Sequence, residues 1–172
     1  MKLRISSKLA SVYSEVNVVD ADGALRFSTM TDPLSSPQVT RLLDESGQEV
    51  ARYSTARADA RERKHRIVMA DGTSFTATRR FRVSASTSES TIRVAGSDWV
   101  VLTQRAWSSR FEIRTEGERV LARAKQLQAL RGDAYDVDIK DEEHLVEMLL
   151  LSLIARSVIR GDAPSPVLAP SR

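Results

Sequence analysis

The densest run of groups able to do chemistry is Arg57-Ala58-Asp59-Ala60-Arg61-Glu62-Arg63-Lys64-His65-Arg66, with Arg79, Arg80 and Arg82 shortly after it. Guanidinium groups grip phosphate oxygens through paired N–H donors. Adjacent strands that gathered Arg57, Arg61, Arg63, Arg79 and Arg82 would therefore form a cationic patch for an anionic headgroup. Asp59 and Glu62 dilute the run, and the competing expectation is a solvated sheet face laced with ion pairs. Only two histidines occur, His65 and His144; neither has partners at metal or triad spacing, so both are expected on the surface. The serines of Ser84-Ala85-Ser86-Thr87-Ser88-Glu89-Ser90 read as a polar loop with no base nearby. No phosphate-cradling glycine loop, dinucleotide fingerprint or pair of catalytic carboxylates stands out. The expectation is a protein that is not an enzyme and uses no metal or cofactor.

Such groups need elements to hold them. The chain has 172 residues, of which 41% are hydrophobic, enough for one domain with a sizeable core. It has no cysteine, which excludes disulfides and thiolate metal sites and suits a reducing cytoplasm. The first residues lack the apolar stretch of an export leader, so a cytoplasmic location is expected. The formal net charge is +3, with both signs mixed throughout the sequence, and this balance does not by itself indicate nucleic acid.

A β-rich run, an acidic or small turn and a glycine recur at Val16–Gly23, Leu42–Gly47, Ile67–Gly72 and Phe111–Gly117, with a further turn at Ala95–Asp98. Glycine supplies the positive φ of tight hairpins and Asp bonds to the turn backbone, so each repeat joins antiparallel neighbours. Counting outward predicts twelve strands, near residues 3–6, 13–19, 24–29, 39–43, 48–54, 64–69, 74–79, 90–95, 99–104, 109–115, 119–125 and 134–139. Alternation in Tyr135-Asp136-Val137-Asp138-Ile139 puts the acids on a wet face.

Only Leu145–Ile159 reads as a long apolar helix, and Met148–Ile154 has no polar side, so something must surround it. At about 1.5 Å per residue it is about 22 Å long, short of the roughly 30 Å of bilayer hydrocarbon, and Glu147 and Arg156 interrupt it. A β-sheet closed around the helix meets the requirement and removes exposed strand edges. Asp141, with Glu142 and Glu143, is the expected start of the helix. The proline-rich stretch 161–172 is expected to be a loose tail outside a domain of residues 1–160. Trp99, Trp107, Phe111 and Tyr135 are expected in the core, with a place at the barrel rim as the alternative for Trp107, which Arg105 and Arg110 flank.

This order of segments resembles the LURP-one-related family, a branch of the tubby C-terminal-like and phospholipid scramblase-like folds. Val18–Phe27 and Leu42–Ala51 are similar to its Asp-x-x-Gly hairpins. Phe111–Lys125 is similar to a later hairpin, Asp133–Val137 to an Asp-x-Tyr-x-Val strand, and Leu145–Ile159 to the core helix. The resemblance implies a mainly β fold, a closed antiparallel barrel of about twelve strands around one central C-terminal hydrophobic helix. It also implies a non-catalytic binding or scaffold domain, expected as a monomer, whose ligand is an anionic phospholipid headgroup or a phosphorylated molecule. The alternatives are a protein-interaction module without a small ligand and, more weakly, a nucleic-acid-binding protein. The acid-rich calcium segment of the scramblases has no clear counterpart here.

Overall fold

Apolar residues at every second position, interrupted by short turns, build a meander of twelve strands. A computed structural model of the chain describes residues 1–7, 15–32, 34–57, 62–81, 88–105, 110–127 and 134–160. The strands are β1 (Lys2–Ser7), β2 (Val16–Asp20), β3 (Leu25–Asp32), β4 (Val39–Asp44), β5 (Glu49–Arg57), β6 (Glu62–Met69), β7 (Ser74–Phe81), β8 (Ser88–Val94), β9 (Trp99–Arg105), β10 (Arg110–Thr115), β11 (Val120–Leu127) and β12 (Ala134–Ile139). Each pairs antiparallel with the next, and β12 pairs with β1, so the sheet is a closed barrel. Leu3 opposite Val137 and Ile5 opposite Tyr135 knit this seam from the inside. The residues 161–172, expected as a tail, and Trp107 lie outside the described residues.

The turns after β2 and β4 share one construction. The carboxylate of Asp44 accepts from the Ser46 and Gln48 amides, each at 2.9 Å, and Gly47 takes φ of 82° while its amide donates to the Asp44 carbonyl. The fourth repeat departs from the expectation. There Thr115 replaces the aspartate, and the positive φ, 67°, falls on Glu118 rather than on Gly117. The glycine stands one position too early to take the left-handed place.

After β12 the chain makes a single 3₁₀ turn, Glu142–His144, and enters α1 (Leu145–Arg160). Asp141 occupies the capping position but its side chain caps no amide; its carboxylate instead meets His144 Nδ1 at 3.1 Å. From Met148 to Arg156 every residue of α1 is buried, because the helix runs inside the barrel, nearest β9 to β12 and β5. Among the described residues no helix is long and apolar enough to cross a membrane.

The interior has two storeys. Around the first turns of α1 it is aliphatic, with Leu42, Ile67, Ile92, Val101, Ile113 and Ile139 buried against Met148, Leu150 and Leu151. Towards the other end the inward positions become polar. Ser90 and Thr103 share a hydrogen bond at 2.6 Å, Thr31 meets Thr40 at 3.1 Å, and the Arg156 guanidinium donates to Ser7. Ser90, where the expected polar loop meets the expected strand 90–95, is a buried strand residue, because β8 begins at Ser88.

Candidate functional site

In an antiparallel meander every other connection lies at the same end of the barrel. The turns after β2, β4, β6, β8 and β10, and the entry to α1, share one end. The connections after the odd-numbered strands, and the last turn of α1, share the other. The charges divide the same way. At the tight-turn end stand Asp20, Asp22, Asp44, Glu45, Asp71, Asp98, Glu116 and Glu118, with Asp141, Glu142 and Glu143 at the helix entry, against the N-terminal amine, Lys2, Arg26, Arg93, Arg114, Arg119 and Lys140. At the opposite end the described strand tips carry Arg63, Lys64, Arg79, Arg80, Arg110 and Lys125, and the backbone brings Arg57, Arg105 and Arg160 to the same end, against Glu15, Asp32, Glu62 and Glu89. Signs that look mixed along the sequence are thus segregated along the barrel axis. The helix dipole agrees with this arrangement, since acids suit its N-terminus and cations its C-terminus.

The register sets three of the expected site residues in one cross-strand row: Arg57 is opposite Arg63, and Arg63 is opposite Arg79. The side-chain faces follow from alternation. Ile67 and Ala77 are fully buried, so Arg63 and Arg79, each an even number of positions away, also turn inward; Arg79 is 9% exposed and Arg63 half-buried. The side chain of Arg57, and Arg61 and Arg82 altogether, lie outside the description. Arg63 and Arg79 therefore meet inside the barrel mouth rather than on the outer wall.

His65 corrects the expectation of a surface histidine. It follows Arg63 on the inward face and is 2% exposed, with Nδ1 at 2.9 Å from Thr55 Oγ1. Burial, then the positive charges of Arg79 and Arg63, push its pKa down to about 4. A ring this reluctant to take a proton is a poor general base.

The outer wall is laced with ion pairs. Glu62 lies between Arg80, at 3.3 Å, and Lys64, at 3.6 Å; Arg123 meets Glu112 at 2.8 Å, and Arg4 meets Asp136 at 2.8 Å. Over β8 to β12 this wall forms an open hollow of about 830 Å³. Its acids are bonded, Glu112 to Arg123, Asp136 to Arg4 and Asp138 to Lys140 at 2.6 Å, while Arg110 and Lys125 stand at the rim nearest the basic end. At the acidic end, Asp141, Glu143 and His144 can bring ligand atoms within 4.8 Å of one another. The Asp141–His144 bond already engages two of them, and Trp99 packs edge-on against the imidazole at 5.1 Å.

The arginines were visible as a run in the sequence. The polarity of the whole barrel was not, although the strand order and the acidic turns together contain it. Compared with known proteins, residues 1–155 match the model of the family described as LURP-one-related. No curated protein matches the chain. A similar solved structure is the X-ray structure of a protein from Arabidopsis thaliana, with a TM-score of 0.51 and 13% identity over 89% of this chain and 90% of that one. This likeness concerns the fold.

Proposed function

Because the chain belongs to the LURP-one-related family, we propose that it is a non-catalytic binding domain whose basic barrel end engages an anionic ligand, either phospholipid headgroups or a phosphorylated molecule. The observation that carries this reading is the axial segregation of charge. A barrel whose two ends differ in sign presents one end to an anion and turns the other away, so the field steers approach as well as holding the ligand. Lys64, Arg80, Arg110 and Lys125 supply donors on the outer wall at that end, and Arg63 and Arg79 make the mouth positive from within. The non-catalytic part of the reading rests on the chemistry at hand. Among the described residues the hydroxyl held by an imidazole is that of Thr55, inside the barrel against the weakly basic His65. The proposed setting is the cytoplasm, which a chain without cysteine suits.

Co-sedimentation of the full chain with phosphatidylcholine vesicles, with and without phosphatidylserine, tests the reading, together with retention on a phosphate-bearing resin. The expected result is selective, salt-sensitive recovery on the anionic matrix. It should be lost in Arg80→Glu/Lys125→Glu and kept in Arg26→Glu/Arg119→Glu, which carries the same charge change at the other end. Equal recovery on neutral and anionic vesicles at low salt, with no retention on the resin, would overturn it.

A further inference from the structure

Among the described residues three large hydrophobic side chains are exposed: Leu25 at 44%, Met30 at 49% and Leu34 at 93%. Leu25 opens β3 at the acidic end. Leu34 lies in the β3–β4 connection, at the basic end, and Met30 is on the outer wall of β3 below it. Leu34 is held out by a built turn. Its amide donates to the Asp32 carboxylate at 3.0 Å, the Ser35 hydroxyl donates to the Asp32 carbonyl at 3.0 Å, and the Val39 amide donates to that hydroxyl at 2.9 Å. A loop tied by three hydrogen bonds that leaves a leucine in water bears a hydration cost which contact with an apolar medium would recover.

We propose that Leu34 inserts into a lipid surface while the surrounding cations rest on anionic headgroups, so that the barrel docks upright on its basic end. This rests on the anionic-ligand reading above and selects the bilayer from its two candidate ligands. Two features favour a bilayer over a compact phosphorylated ligand or a protein pocket. The described cations at this end sit on β6 and β7 and, farther round the barrel, on β10 and β11, with Leu34 on the β3–β4 sector, so cations and leucine occupy separate sectors of one mouth as a planar counter-surface requires. Among the described residues the apolar element at this end is one protruding tip with Met30 behind it, which suits a soft medium better than a preformed cavity. One leucine buried to a few ångströms in the interface adds to the electrostatic attraction, which alone is weak and salt-labile.

The chain has no cysteine, so Leu34→Cys provides a single thiol for a polarity-sensitive fluorophore. With phosphatidylcholine/phosphatidylserine vesicles, the emission should shift to the blue for a label at position 34 and stay unchanged for one at Leu25→Cys. Addition of inorganic phosphate alone should shift neither. Leu34→Ser should weaken partition onto the same vesicles by about tenfold, as loss of one buried aliphatic side chain implies. Wild-type chain that sediments with anionic vesicles while the position-34 label stays unshifted, or while Leu34→Ser binds equally well, overturns the insertion and leaves the anionic-ligand reading standing. A chain that does not sediment with those vesicles but is retained on the phosphate resin overturns the bilayer as ligand. One that does neither overturns both.

Discussion

His65 illustrates how a residue's neighbours decide its chemistry. Its place between Arg63 and Ile67 on the inward face of β6 removes it from water and sets it beside two guanidinium groups, and the ring stays neutral down to about pH 4. The ordinary value for the unfolded chain is near 6.5. Between these values the unfolded chain binds a proton that the folded chain refuses, so stability is fully present above pH 6.5 and drains away as the pH falls to about 4. The loss should amount to about 3 kcal/mol. Urea denaturation across this range should show a falling midpoint for the wild type and a flatter profile for His65→Gln. The turn carboxylates Asp44 and Asp71, held below the usual range by hydrogen bonds from Ser46 and Thr73, lose their contribution only at lower pH. The sequence showed the charged run but not its inward and outward sides. A one-residue shift in register exchanges the two faces, and the residues that fix the register, Ile67 and Ala77, flank the run rather than belong to it.

The turns were the most legible elements, because aspartate and glycine at fixed spacing each answer a local requirement of the backbone. Gly47, at φ of 82° with no atom within 4 Å of an added Cβ, tests that reasoning without a steric confound. Gly47→Ala should cost about 1–2 kcal/mol, the strain of a left-handed L-residue, measured as a lower unfolding midpoint. Glu118 gives the converse. Its φ of 67° carries that strain already, and its 3.8 Å contact with Arg114 is highly exposed, so Glu118→Gly should raise stability by up to about 1 kcal/mol. Elements whose ends depend on distant partners were less legible. The start of β8 at Ser88 depends on pairing with Arg105 of β9, and the polar Ser-Thr run around it gives no local sign of burial. The entry to α1 likewise depends on a 3₁₀ turn in which Asp141 serves His144 instead of the helix amides.

The whole molecule follows from one demand, a helix with no solvated side. Leu150 and Leu151 are fully buried, and the barrel around them was predictable from that fact and from the strand count. Leu150→Lys should abolish cooperative folding, since an unpaired buried charge costs several kcal/mol against a total stability of about 5–15 kcal/mol. Circular dichroism and a thermal melt would show it, and a folded variant with wild-type spectra would place the helix outside the barrel. The charge polarity belongs to this scale as well. It was hidden because composition sums the signs, while the meander sorts them by sending alternate connections to opposite ends.

The seam between β1 and β12 carries a further consequence for how the chain is made. Every other pairing joins consecutive strands, whereas this one brings Arg4 to Asp136 across 132 positions. Hairpins can form one by one as the polypeptide emerges, but closure must wait for β12, and the helical plug emerges later still. Until then the nascent sheet is an unfinished cylinder with β1 as its waiting lip. Lys2 and Arg4 on that lip discourage pairing with another chain, so the cations that finally meet β12 also protect the strand during synthesis.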